Sequence, residues 1–141
     1  MPQTHSLEVC ADLKDLRQIG PWIVSKIGLV YEEEQVALMM PSIALAIQEL
    51  AVNIVEHGYE ASAGKTFALQ LTTSQNHVEV LVVDSGNSYD PDAVAIPAIE
   101  DLQVGGYGVM LIKKLTSLFR VTRKDGKNLT TLRFDVPPVA A

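Results

Sequence analysis

Glu49 and Asn53 stand one helical turn apart inside ALAIQELAVNIVEHGY. A carboxylate and an amide at that spacing share one face of a helix. Between them they can hold a hydrated magnesium ion and a phosphate, since magnesium keeps most of its water and takes few protein oxygens. Glu56 and His57 continue the polar strip a turn later. The same pattern also describes an ordinary solvated helix side, so its weight depends on the rest of the chain. Asp84, in VVDSG, is an acid at the end of an apolar run with Gly86 two residues on. Such a carboxylate can accept a hydrogen bond from the exocyclic amine of adenine, and the glycine lets a flat ring approach the backbone. The plain alternative is a strand-ending acid in a turn. Gly105-Gly106-Tyr107-Gly108 comes directly before a helical run that opens at Val109. Free N–H groups at a helix start attract phosphate, and glycines permit close approach. No Lys-Ser/Thr follows Gly108, so this is not the P-loop pattern, and no βαβ unit surrounds it.

The elements that must carry these residues follow from periodicity. Ile43, Ile47, Leu50, Ile54 and Val55 recur at helical spacing, so a helix is expected over about 41–56, with Gly58 as a left-handed cap. Residues 6–11 suit a short first strand. Asp12 suits the cap of a helix whose buried side is Leu13, Leu16, Ile19, Ile23 and Ile27, kinked or restarted at Gly20-Pro21. Residues 28–35 read as a linker, solvated at Glu32-Glu33-Glu34. Alternation predicts strands over 66–73 and 77–84, joined as a hairpin, with His77 exposed at the turn. Between Ser85 and Gly108 only a short helical piece near 96–102 stands out; a gap that long inside a compact domain suggests a functional lid. A helix over 109–118 and a second hairpin, 119–124 with 129–136, complete the chain before Pro137-Pro138. The order predicts an α+β two-layer sandwich, its helices on one face of a mostly antiparallel mixed sheet.

The length of 141 residues suits one domain with a real core, and 48% hydrophobic residues exclude a disordered chain. A net charge of −6 argues against nucleic-acid binding. The single cysteine, Cys10, cannot form an internal disulfide and suits a small core position. No secretory signal opens the chain and no run reads as long enough to span a membrane, so a cytoplasmic location is expected.

Taken together, the three stretches are more specific than any alone. QELAVNIVEHGYE, VVDSGNSYDP, and VGGYGVMLIKKL followed by DGKNLTTLRFD resemble the GHKL superfamily of ATPases, named for gyrase, Hsp90, histidine kinases and MutL. Within it the likeness is greatest to the small anti-sigma-factor serine/threonine kinases, the RsbW-like group. The resemblance spans about residues 41–135 and implies a Bergerat-type ATP-binding fold, with ATP and magnesium as cofactors. It implies that Asn53 ligands magnesium and that Glu49 is the general base for an attacking hydroxyl. It further implies that Asp84 reads adenine with Gly86 beneath the ring. Gly105, Gly106, Tyr107, Gly108 and Val109 would wrap the phosphates. The implied partners are a STAS-domain anti-anti-sigma factor, which would be phosphorylated, and a sigma factor. Dimerisation is common in the group, though no dimer face stands out. His57, Gly58 and Tyr59 match the group's pattern in a helix-ending role.

Two departures bear on activity. Leu102-Gln103 stands where many of these kinases have an arginine, and Ser117 where they often have an acid. No Lys or Arg occurs between Lys65 and Lys113, so this hairpin and lid offer no cation to a γ-phosphate. Neutralisation would fall to magnesium, to backbone N–H groups, or to a partner's arginine, which can be worth roughly 10³–10⁵ in rate. The competing expectations are therefore a partner-switching kinase, an ATP-binding interaction module with little catalysis, and the ATPase fragment of a sensor histidine kinase. The last is disfavoured by the absence of a phosphoacceptor helix pair.

Overall fold

The computed structural model describes residues 2–60, 62–88 and 108–139. The chain runs β1 (Gln3–Cys10), a 3-10 segment (Leu13–Gln18), α1 (Ile19–Ile27), α2 (Glu33–Asn53) and a π-helical turn (Ile54–Gly58). It continues with β2 (Thr66–Thr73), β3 (His77–Asp84), α3 (Gly108–Leu115), β4 (Leu118–Lys124) and β5 (Lys127–Asp135). The sheet has strand order β1-β2-β3-β5-β4, and its pairings are antiparallel throughout. This is the expected α+β sandwich. The expected lid, its helical piece at 96–102, and Gly105, Gly106 and Tyr107 lie outside the described residues.

The strands alternate because one face is buried and the other is not. Phe67, Leu69 and Leu71 on β2, Val78, Val80 and Val82 on β3, and Leu132 and Phe134 on β5 point into the core. They meet Ile23 and Ile27 of α1, Ile43, Ile47 and Leu50 of α2, and Ile112 of α3 in one cluster. Gln70 and Glu8 lie exposed on the opposite face. A fully buried Ile or Leu contributes about 1.5–3 kcal/mol over leaving it in water, so Leu50→Ala would cost roughly 2–5 kcal/mol.

Several sequence expectations are corrected. Helix α2 starts at Glu33, well before Pro41, and the acidic stretch expected to be a solvated linker is its N-terminus. Glu32 and Gln35 form a reciprocal capping box, and Glu33 and Glu34 occupy the first turn, where the helix dipole favours negative charge. Gln35 is buried, its Nε2 donating to Pro137 O at 2.8 Å. The apolar stripe extends back through Met39, which carries the helix across Pro41. Leu13, expected inside, is 50% exposed, because the first segment is a 3-10 stretch whose face turns differently. Cys10 is exposed rather than in the core. Helix α3 stops at Leu115, and Ser117 N already donates to Arg133 O at 2.8 Å, drawing the chain into the sheet.

The continuous helical stretch Glu33–Gly58 is long and apolar enough to cross a membrane by length and composition, contrary to expectation. Its apolar side is the core: Ile43, Ile47 and Leu50 are all at most 2% exposed.

Candidate functional site

The site residues lie where α2 ends against β3. Helix α2 closes with a π turn, in which Tyr59 N donates to Ile54 O at 2.8 Å. Such turns often mark functional positions. Gly58 is therefore not the left-handed cap that was expected; the positive φ falls later, at Glu60 (52°). Tyr59 is buried and bridges two strands. Its O–H donates to Thr66 O at 2.7 Å, and its oxygen accepts from Ser85 N at 2.8 Å. The helix-ending role expected of this tripeptide thus rests on Tyr59.

The Asp84-Ser85-Gly86 turn is sewn onto that helix end. Asn87 N donates to Gly58 O at 2.8 Å. A Cβ on Gly86 would lie 2.6–2.9 Å from the backbone C, O and Cα of Gly58, closer than any side chain tolerates. Glycine is needed here for backbone to meet backbone. A Cβ on Gly58 would lie 3.9 Å from both Asn53 O and Asp84 Oδ1, so the end of β3 and the last turns of α2 share one corner.

Asp84 is 2% exposed. Its Oδ1 accepts from Gly86 N at 2.9 Å and from Asn128 Nδ2 at 3.0 Å. Its Oδ2 is buried with no hydrogen-bond partner among the described residues. The same holds for Thr130 Oγ1, two residues along β5 from Asn128, which pairs directly with Asp84. Unpartnered buried polar atoms each cost about 1–3 kcal/mol, and these two share the core-facing side of the β3–β5 pair, where a ligand can supply the missing partners.

Glu49 and Asn53 are half-buried, and α3 begins against them. A Cβ on Gly108 would stand 3.0 Å from Asn53 Nδ2, 3.1 Å from Glu49 Oε2 and 3.5 Å from Asn53 Oδ1. The last glycine of the GGxG stretch therefore faces both polar side chains, with Val109 next on α3. Glu56 and His57, further along the predicted strip, are exposed. No group of three or more His, Cys, Asp or Glu gathers as a metal site among the described residues. A nucleotide-bound magnesium needs only one or two protein oxygens, which Glu49 and Asn53 can offer.

Two participants escaped the sequence reading. Asn128 reaches Asp84 only through the β3–β5 register, and Arg123 comes from the edge strand β4. Arg123 Nη1 donates to Gly86 O at 2.7 Å and to Asn128 Oδ1 at 3.0 Å. Arg123 lies beyond the stretch between Lys65 and Lys113 that holds no basic residue, and the β4–β5 hairpin brings it to the Asp84 corner.

The chain that carries this corner falls in a known class. A model of the histidine kinase-like ATPase domain matches residues 11–134, and the chain belongs to that family. Within it, the chain groups with RsbW-like proteins. It is 28% identical over 120 residues to the serine-protein kinase RsbW of Halalkalibacterium halodurans, covering 79% of this chain and 69% of that one. It is 28% identical over 95 residues to the serine/threonine-protein kinase BtrW of Bordetella bronchiseptica, covering 64% and 67%. It is 22% identical to the RsbW of Bacillus subtilis, covering 79% and 71%. The crystal structure of the RsbU and RsbW domains of Rv1364c from Mycobacterium tuberculosis has the same fold, with a TM-score of 0.63 at 20% identity. That match covers 96% of this chain and 33% of the solved one, so this chain spans about a third of that molecule.

Proposed function

We propose that this chain binds ATP with magnesium and phosphorylates a serine or threonine on a STAS-type anti-anti-sigma factor. In its alternate state it would hold a sigma factor inactive. The chain would act in the cytoplasm, away from membrane and nucleic acid. The observation that carries the reading is Asp84: a buried carboxylate with one oxygen saturated and the other bare, at the corner shared with Asn53. A bare acceptor beside the unpartnered Thr130 hydroxyl suits the amine and ring nitrogen of adenine. The names of the relatives, serine-protein kinases, support the reaction class.

The mechanism follows from the chain's own groups. Asp84 Oδ2 accepts from the base and fixes its position. The backbone N–H groups at the start of α3 would hold the phosphates. Asn53, against Gly108, offers an amide oxygen to the metal. Glu49 takes the proton of the attacking hydroxyl, a role worth about 10²–10⁴ in rate. Bound Mg·ATP supplies the phosphoryl group and neutralises its charge; the remainder is positioning.

Incubation with radiolabelled ATP, magnesium and candidate STAS proteins tests the proposal. Transfer to a serine or threonine is expected, and Glu49→Ala should keep nucleotide affinity while losing transfer. Full activity in Glu49→Ala removes the assigned role. The absence of a basic residue between Lys65 and Lys113 favours one other reading, an ATP-binding regulatory module with little catalysis. Nucleotide binding without transfer to any candidate would select it.

A further inference from the structure

We propose that Arg123 and Asn128 are the positioning residues that dedicate Asp84 Oδ2 to an N–H donor, and so set the choice of base. The inference rests on the nucleotide reading above.

Asn128 is 1% exposed, and its side-chain amide could face Asp84 with either end. With the oxygen toward Asp84, two acceptors would oppose each other and the carboxylate would turn away from that contact, moving Oδ2 with it. The acceptor aimed at the base would then be displaced. Arg123 decides between the two orientations. A guanidinium has only donors, and its Nη1 lies 3.0 Å from Asn128 Oδ1, so that end must be the acceptor. The amide nitrogen is thereby turned toward Asp84 Oδ1 at 3.0 Å and Asn87 O at 3.0 Å. Gly86 N fills the other approach to Oδ1 at 2.9 Å. Both donors to Asp84 act on one oxygen, leaving Oδ2 as a pure acceptor. Arg123 Nη1 also holds Gly86 O at 2.7 Å, which fixes the turn carrying that N–H. One side chain on an edge strand therefore sets the polarity of a chain of hydrogen bonds ending at the base. Nothing near Asp84 in the sequence encodes this polarity.

The test compares ATP with inosine triphosphate, which differs at the 6-amino group, by titration calorimetry on the full chain with magnesium. Wild type should prefer ATP by about 10-fold to 100-fold, the range for leaving a buried acceptor unpaired. Arg123→Met should bring that ratio to within about threefold of unity, mainly by weakening ATP. Arg123→Lys, which keeps a donor and a charge, should recover part of the preference. A merely structural role would weaken both nucleotides in parallel and leave the ratio unchanged. That outcome in Arg123→Met overturns the relay while leaving the nucleotide site standing. Wild type that binds neither nucleotide overturns both. Asn128→Asp provides a second variant: placing a carboxylate against Asp84 should lower ATP affinity more than inosine triphosphate affinity. Equal losses count against the relay.

Discussion

Replacing Gly86 by alanine tests the corner from which the site is built. The added Cβ would lie 2.6 Å from Gly58 C, 2.7 Å from Gly58 O and 2.9 Å from Gly58 Cα. All three are backbone atoms in the π turn, so no side-chain rotation relieves the overlap. Relief requires the turn to move away from the helix end, at roughly 1–3 kcal/mol for overpacking. Moving it also stretches the Asn87 N to Gly58 O bond, 2.8 Å long, at about another 1 kcal/mol. The expected loss is roughly 2–4 kcal/mol. With an unfolding entropy of about 2.1 cal/mol/K per residue, this lowers Tm by roughly 7–14 °C for a domain of this size. Gly20→Ala is the matched control. A Cβ there meets nothing within 4 Å and the residue lies in α1, so stability should hold or rise by up to about 1 kcal/mol. Differential scanning calorimetry reads both. A Gly86→Ala protein melting within about 2 °C of wild type would refute the reasoning, because the two backbones would then not be in contact.

Other expectations follow from the same geometry. Asn53→Asp should weaken magnesium-dependent nucleotide binding by adding a charge beside Glu49 and the phosphates; unchanged calorimetric titration removes Asn53 from the site. Tyr31 O–H donates to Ser74 O at 2.6 Å and to His77 O at 3.3 Å, tying the α1–α2 connection to the β2–β3 hairpin. Burial holds this phenol above its ordinary value, so the folded state keeps the proton more tightly than the unfolded one. Its contribution is therefore full below about pH 10 and is lost as pH rises beyond it. Tyr31→Phe should cost about 0.5–1.5 kcal/mol at neutral pH and flatten the alkaline loss, measured by urea unfolding at two pH values. Parallel alkaline losses in the two proteins would contradict this.

The legible parts of the fold were those written in local pattern. Strands β2 and β3 fall at the expected residues because strict alternation was bounded by Ser74-Gln75-Asn76 and Asp84-Ser85-Gly86. Asp84 stood out because an acid closing an apolar strand is costly unless used. The start of α2 was hidden because its cap is a glutamate, Glu32, answered by Gln35, rather than the usual serine or threonine. A proline at 41 also resembled a helix start. Gly86 was expected to make room for a ring; its close approach to Gly58, which also requires glycine, could not be read from the sequence. Asn128 and Arg123 were illegible for a plain reason. Strand β5 inserts between β3 and β4, and only that strand order brings them to Asp84.

The central claim is that Glu49, Asn53 and Asp84 serve one nucleotide. Its most direct measurement is a crystal structure of the chain grown with magnesium and a non-hydrolysable ATP analogue. The purine amine is expected on Asp84 Oδ2 and the phosphates at the start of α3, beside Asn53 and Gly108. A nucleotide bound elsewhere, with Asp84 Oδ2 still unpartnered, would contradict it.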